Sequence, residues 1–476
     1  METLALQQIA GFADGRLLRG DAAGVVSAIS TDTRGLVPGE LFLALRGENF
    51  DGHDHLSSAV AAGALGAVVA RGYNDRDLPS GFVLIEVDDT LAAYQRIAAA
   101  YRQTLPLKVV GITGSNGKTS TKDLTAAILA RRFRVLKTEG NLNNHVGVPR
   151  MLLRANRSHE VAVLEMGMNH PGEIAPLARM AAPQVAIITN IGRAHLEFMG
   201  SRGAIAQEKG MLAEAIGVEG TVILHGGDEF TPAIAARTHA RVVVVGSDGA
   251  ALHAESVVQE FTGSRFTLVS GNDRIEVSLS VAGRHMIVNA LLAAAAGMAL
   301  GVPLAECAAA LAEAKLTAGR LERKELHGRL ILDDSYNANP DSMTAALETL
   351  AALPTAGRRI AVLGKMGELG DASEEGYRTV GEHVGAKKID CLVTVGEEAR
   401  AIATAARATG HLETFSAEHV DGAAGLLAEI SRPGDLLLVK GSRSAGMERT
   451  LAKLADLLAN SPDAEANNLP ATSNTR

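Results

Sequence analysis

The chain has 476 residues, room for roughly three domains of ordinary size, and 47% of them are apolar, so a large core can be buried. Its 46 basic residues are outnumbered by 54 acidic ones, a net charge of −8, which argues against general affinity for nucleic acid or anionic membranes. The two cysteines, Cys307 and Cys391, lie far apart and define neither a disulfide framework nor a thiolate metal site.

The opening METLALQQIAGFADGRLL lacks a basic region followed by an apolar run, so no secretory signal is expected and a cytoplasmic location is inferred. A helical pattern spans 91–102, Pro106 breaks the chain and a strand follows at 107–113. This sets a first domain at 1–105. Apolar runs at 161–165, 185–190, 221–225 and 242–246 alternate with helix-length segments, the pattern of a parallel sheet covered on both faces. Alternating segments 266–270 and 275–281 flank Gly271, Asn272 and Asp273 and predict an antiparallel hairpin attached to that sheet. The most apolar stretch, 287–299, contains Asn289 and many alanines and reads as a buried helix rather than a membrane span. A second strand series at 330–332, 360–363, 391–395 and 436–439 predicts a smaller doubly wound sheet. The expected fold class is therefore α/β, with a central domain at 106–316 and a C-terminal one at 317–459. The tail 460–476 is polar and aperiodic, the composition of a disordered end.

The strongest local signal is VVGITGSNGKTSTKDLT. A strand ends at Thr113, a glycine turn follows, and a helix opens at Thr119. Gly114 and Gly117 let backbone approach an anion closely, while the amides of the first helical turn point at it along the helix dipole. Lys118 would meet the β- and γ-phosphates of a nucleotide, and the Thr119 hydroxyl would hold Mg²⁺. The strict motif wants glycine where this chain has Ile112; the strand, turn and helix context is otherwise right. Thr113, Gly114, Ser115, Asn116, Gly117, Lys118, Thr119 and Ser120 are the expected ATP-binding loop.

TGSNGKTS resembles the variant loop of the Mur ligases and folylpolyglutamate synthetases. Further segments resembling the Mur ligases run through roughly residues 25–455. The resemblance implies three domains: a small mixed N-terminal domain for a UDP-sugar, a central ATPase domain and a C-terminal Rossmann-like domain. GNLNNHVGVP points to the group that adds D-alanyl-D-alanine to UDP-N-acetylmuramoyl-tripeptide, with Asn141, Asn143 and Asn144 near the sugar-peptide; the Asp-Asn-Pro-Arg sequence of the diaminopimelate-adding members is missing. Glu165, at the carboxyl end of a strand where ligands of open α/β sheets bind, is a hard carboxylate suited to Mg²⁺. The resemblance gives His195 a second Mg²⁺, and Lys209 the carbamylated position, a carboxylate-like group. Two Mg²⁺ are thus expected on Thr119, Glu165, His195 and carbamylated Lys209.

By the same resemblance Asn289 contacts adenine, Arg320 reaches the γ-phosphate and Asp334 accepts ribose hydroxyls. Asn337, Tyr336 and Pro340 share the signature DDSYNANP. Lys440, with Ser442 and Arg443, lies near the incoming amino substrate. Lys365 stands where the family often has Asp. Thr33, Arg34, Asp51, Gly52 and His53 match the UDP-sugar region, where an Arg and backbone amides suit a pyrophosphate. The expected enzyme is a monomeric ATP-dependent ligase with ATP and Mg²⁺ as cofactors. Its partners are small molecules, with no nucleic acid and no membrane. The third residue of the tripeptide stays open between diaminopimelate and lysine. The alternatives are a Mur ligase for another amino acid, a plain P-loop ATPase or kinase, and a nucleotide-regulated scaffold. The last two leave DDSYNANP or the set Lys118, Glu165, His195 and Lys209 unexplained.

Overall fold

The computed structural model describes residues 1–460 apart from 48, 75–76, 247–248 and 410–411, so the expected disorder of the tail lies outside the described residues. Three large sheets organise them, beside a two-stranded antiparallel pair of Leu4–Ala5 with Val25–Val26. A five-stranded sheet in the order Arg16–Arg19, Val83–Val87, Gly66–Ala70, Leu41–Leu43, Ile29–Ser30 is parallel except for its first pair. It is the expected mixed N-terminal unit.

The central sheet has nine strands. Its parallel part runs Arg241–Val245, Thr221–His225, Val185–Ile188, Lys108–Thr113, Val161–Glu165, Val135–Lys137. Val, Ile and Leu fill these strands because helices cover both faces. The expected hairpin forms between Gly263–Ser270 and Asp273–Leu279, with Ser270 opposite Asp273. An additional strand, Leu252–Glu260, joins the hairpin to the sheet. The apolar stretch is a buried helix, Arg284–Ala299, and among the described residues no helix is long and apolar enough to cross a membrane.

The C-terminal sheet runs Glu322–Leu326, Arg329–Asp334, Leu436–Lys440, Arg359–Leu363, Cys391–Val395, Glu413–Ala417, and only the first pair is antiparallel. The apolar cores are continuous across the units. Tyr94, Ile97 and Tyr101 of helix Thr90–Gln103 share one cluster with Met151 and Leu152 of the central unit. Leu332, Met343 and Leu347 of the C-terminal unit share another with Leu124 and Leu291.

Candidate functional site

Parallel register sets the site. Glu165 lies opposite Ile112, and Ile188 opposite Thr113, so three strand ends open on one edge where the phosphate loop begins. The C-terminal sheet does the same: Asp334 and Leu363 both lie opposite Lys440. The two edges face each other across a cleft of about 970 Å³ lined by both units.

The phosphate loop leads from strand Lys108–Thr113 into helix Lys118–Leu129, one residue earlier than expected. Gly117 is left-handed (φ 80°), and a Cβ there would stand 2.5 Å from Asn289 Oδ1. Asn289 is thereby placed against the turn of the phosphate loop. At Gly114 a Cβ would fall on the Thr189 hydroxyl. Two backbone donors tie the loop to the neighbouring strand end: Ser115 N donates to Asn190 O (2.9 Å) and Asn116 N to Asn190 Oδ1 (2.8 Å). Lys118 folds back, its Nζ donating to Gly114 O at 2.8 Å, and burial lowers its pKa.

Thr119 Oγ1 donates to Glu165 Oε2 at 3.0 Å, and Asn143 Nδ2 to Glu165 Oε1 at 2.9 Å. Arg320, from the interdomain linker, donates from Nη2 to the same Thr119 oxygen at 3.0 Å. Its guanidinium lies 4.3 Å from the Tyr336 ring centroid, a cation–π stack. Asn339 Nδ2 donates to Asn116 Oδ1 at 2.8 Å, and Arg193 N to Asp341 Oδ2 at 2.6 Å. The C-terminal unit is thus docked on the loop.

His195 and Lys209 stand differently from the Thr119–Glu165 pair. His195 Nδ1 is 2.5 Å from Glu368 Oε2, close enough for an ion pair but outside hydrogen-bond geometry. Burial lowers the His195 pKa, and His195 holds the Glu368 carboxyl below its usual range. Lys209 is fully buried and its Nζ has no partner; burial, then the Lys118 charge, push its pKa well down. It is not among the residues that line the cleft. Orphaned buried polar atoms are rare. Here Lys209 Nζ has company in Thr113 Oγ1, Asn116 Nδ2 and Arg320 Nε, all around the loop. Such a set is what a site built for bound oxygens leaves behind.

Among the described residues no group of three or more His, Cys, Asp and Glu could hold a metal. The physical reason is the donor set itself: the expected ligands contain only Glu165 and His195 of those types, with a hydroxyl and a lysine for the rest. The hard oxygens of Thr119 and Glu165 suit Mg²⁺, and a neutral amine at Lys209 is the form that accepts CO₂. The residues fit the ion.

Other expected site residues divide. Residues 115–120, Asn141, Asn143, Asn144, Asn289, Asp334, Tyr336 and Asn337 line the cleft, as does Lys440. Asp334 and Lys440 consume each other's charge, with Lys440 Nζ 2.6 Å from Asp334 Oδ2 and also donating to Asn337 O. Asn144 Oδ1 is taken by the amides of Val146 and Gly147. Thr33, Arg34, Asp51, Gly52 and His53 lie in the N-terminal unit, away from this cleft. There Arg34 pairs with Asp32 at 2.7 Å. Both His53 nitrogens are occupied, by Asp51 Oδ1 (2.5 Å) and Ala70 N (2.9 Å), which ties DGH into a structural corner. Glu368, Asn339 and Asp341 are contacts that sequence reasoning did not single out. For Glu368 a signal existed: an acidic residue just past a glycine loop at a strand's carboxyl end.

A P-loop-like site closed by a second α/β sheet, with an arginine delivered from the linker, defines a nucleotide-dependent ligase of the Mur type. Three family models match in order: the Mur ligase family catalytic domain at 25–102, the Mur ligase middle domain at 112–297 and the Mur ligase glutamate ligase domain at 319–443. The chain belongs to the Mur ligase family. It is 40% identical over 460 residues to the UDP-N-acetylmuramoyl-tripeptide–D-alanyl-D-alanine ligase of Escherichia coli, covering 96% of this chain and 99% of that one. The Bacillus subtilis enzyme of the same name is 37% identical, with 91% and 94% covered. Among solved structures, a MurF from Acinetobacter baumannii superposes with TM-score 0.88 at 33% identity, covering 96% of this chain and 99% of that one. A MurF ligase from Thermotoga maritima in complex with ADP gives TM-score 0.81 at 27% identity, with 90% and 97% covered.

Proposed function

We infer that the chain is an ATP-dependent ligase that joins D-alanyl-D-alanine to UDP-N-acetylmuramoyl-tripeptide, giving the UDP-pentapeptide used in peptidoglycan synthesis. The observation that carries this is the convergence of Lys118, Thr119, Glu165 and Arg320 on one phosphate loop, in a chain that matches ligases of this name over nearly its whole length.

A carboxylate does not condense with an amine in water, because hydroxide is a poor leaving group. The tripeptide carboxylate therefore takes the γ-phosphoryl group of ATP, and the dipeptide amine displaces phosphate from the acyl phosphate. Carboxylate and ATP repel, so positive charge and fixed donors supply most of the catalysis. Lys118 and the loop amides hold the phosphates, Arg320 steadies the transferred group, and the docked C-terminal unit excludes water. Mg²⁺ held by Thr119 and Glu165, and a second by His195 with Lys209 as its carbamate, would neutralise phosphate oxygens. Asn289 flanks the nucleotide, and Asn141 and Asn143 face the sugar-peptide. Thr33 and Arg34 are offered to the UDP group; for His53 the corner contacts favour a structural role. The units divide at 105 and 316, and the enzyme works as a cytoplasmic monomer.

The test is the product: incubation with both substrates, ATP and Mg²⁺ yields the mass of the UDP-pentapeptide. An unchanged sugar-peptide, or a product formed with a single amino acid instead, contradicts this reading.

A further inference from the structure

Helix Leu304–Glu313 ends the central unit, and strand Glu322–Leu326 begins the C-terminal sheet. The linker between them carries Arg320. Thr119 and Asp123 sit one turn apart on the phosphate-loop helix, so their side chains leave the same face. The linker lies along that face in two rungs. Arg320 meets Thr119, and three residues earlier Thr317 donates to Asp123 Oδ2 from both N (3.0 Å) and Oγ1 (2.7 Å).

Asp123 is buried, 3% exposed, yet its carboxylate is saturated. Oδ1 accepts Lys137 Nζ at 2.8 Å, and Lys122 Nζ lies 3.3 Å away. Burial alone would raise its pKa; Lys137, Thr317 and Lys122 outweigh that and bring it below the usual value. A buried charge survives only where geometry satisfies it this fully. Beyond Arg320, Leu321 is left-handed (φ 52°) and its N donates to Asp334 Oδ1 at 3.1 Å. Gly319 is also left-handed (φ 70°). Arg320 is therefore bracketed: Asp123 holds the chain before it and Asp334 the chain after it.

We propose that Asp123 is a positioning residue for phosphoryl transfer, fixing the linker through Thr317 so that the Arg320 guanidinium stands over the phosphate loop beside Thr119. The proposal rests on the role given to Arg320 above. Asp123 touches no reacting group. It acts at one remove, and its partner Lys137 ends the strand that leads into the asparagine loop at 141–144.

Replacing Asp123 itself strands the buried Lys122 charge and removes the anchor of the exposed Lys137, which invites unfolding, so the discriminating variants are at Thr317. In the full-length enzyme, Thr317→Val lowers kcat roughly 10-fold, the scale of a small misplacement of a transition-state group. The affinity for ADP, which lacks the γ-phosphate, stays within about twofold. Thr317→Ser restores the rate. In the Arg320→Ala background, Thr317→Val has no further effect, because residues acting as a unit are non-additive. Losses that multiply independently in the double variant overturn the proposal, as does a Thr317→Val enzyme with unchanged kcat. A wild-type enzyme without dipeptide-dependent turnover instead removes the functional reading beneath it.

Discussion

His195 and Glu368 meet across the cleft, Nδ1 to Oε2 at 2.5 Å, and both have left-handed backbones, φ 62° and 57°. Neither is glycine, so each conformation costs energy that surrounding contacts must hold in place, and such outliers concentrate at functional sites. One residue belongs to the central unit and the other to the C-terminal unit. The contact joins the imidazole to the second sheet across the cleft. On the proposed role of His195 as a Mg²⁺ ligand, Glu368→Gln should lower kcat roughly 10- to 100-fold, the usual scale for losing a partner beside such a histidine. Steady-state kinetics against Mg²⁺ concentration measures it; wild-type kinetics at every Mg²⁺ level would show the contact to be incidental.

Arg320 combines a donor to Thr119 with a stack on Tyr336. A lysine offers neither the planar fork nor the stacking face. Arg320→Ala should reduce kcat about 100-fold, typical for one lost transition-state donor, and Arg320→Lys should recover little of it. Recovery by lysine close to the wild-type rate would mean that only a charge is needed there.

Lys209 Nζ is buried without a partner, and burial, followed by the Lys118 charge, keeps its pKa well below that of a free lysine. The neutral amine is the nucleophile that captures CO₂. Carbon-13 NMR of enzyme equilibrated with labelled bicarbonate should show a carbamate signal that is missing in Lys209→Arg. A signal of equal intensity in that variant would place the carbamate elsewhere.

Asp51 is held at about 2, below the ordinary 3.8. Burial opposes this, but the His53 backbone and ring and the Arg46 guanidinium prevail. The sign follows from the depressed folded value: the unfolded carboxylate protonates first, so the stabilisation is complete above about pH 4 and fades as pH falls toward about 2. The gap in melting temperature between wild type and Asp51→Asn should narrow over that range. A constant gap would show that the carboxylate charge contributes nothing to the corner.

The chain's local chemistry was readable where neighbours in sequence are neighbours in space. Gly114 to Thr119 form one turn, and Val, Ile and Leu runs bounded by glycine mark strands buried on both faces. Strand Val135–Lys137 escaped because three edge residues carry no period, and Leu252–Glu260 because its sequence LHAESVVQE is largely polar and half-exposed. Contacts such as Asp123 with Thr317, or Asn116 with Asn339, join residues from different units and leave no trace in either segment alone. Lys440 and Asp334 were each legible as charged residues at strand ends. That they neutralise each other depends on two parallel strands in register, which only the folded sheet reveals.

Phosphate release from ATP by the purified enzyme is the decisive measurement. UDP-N-acetylmuramoyl-tripeptide and Mg²⁺ are present throughout, and D-alanyl-D-alanine is added or withheld. Release that rises with the dipeptide, in step with pentapeptide formed, is the predicted result. Release at the same rate without the dipeptide would contradict the account, leaving a phosphate loop that hydrolyses ATP without forming a peptide bond.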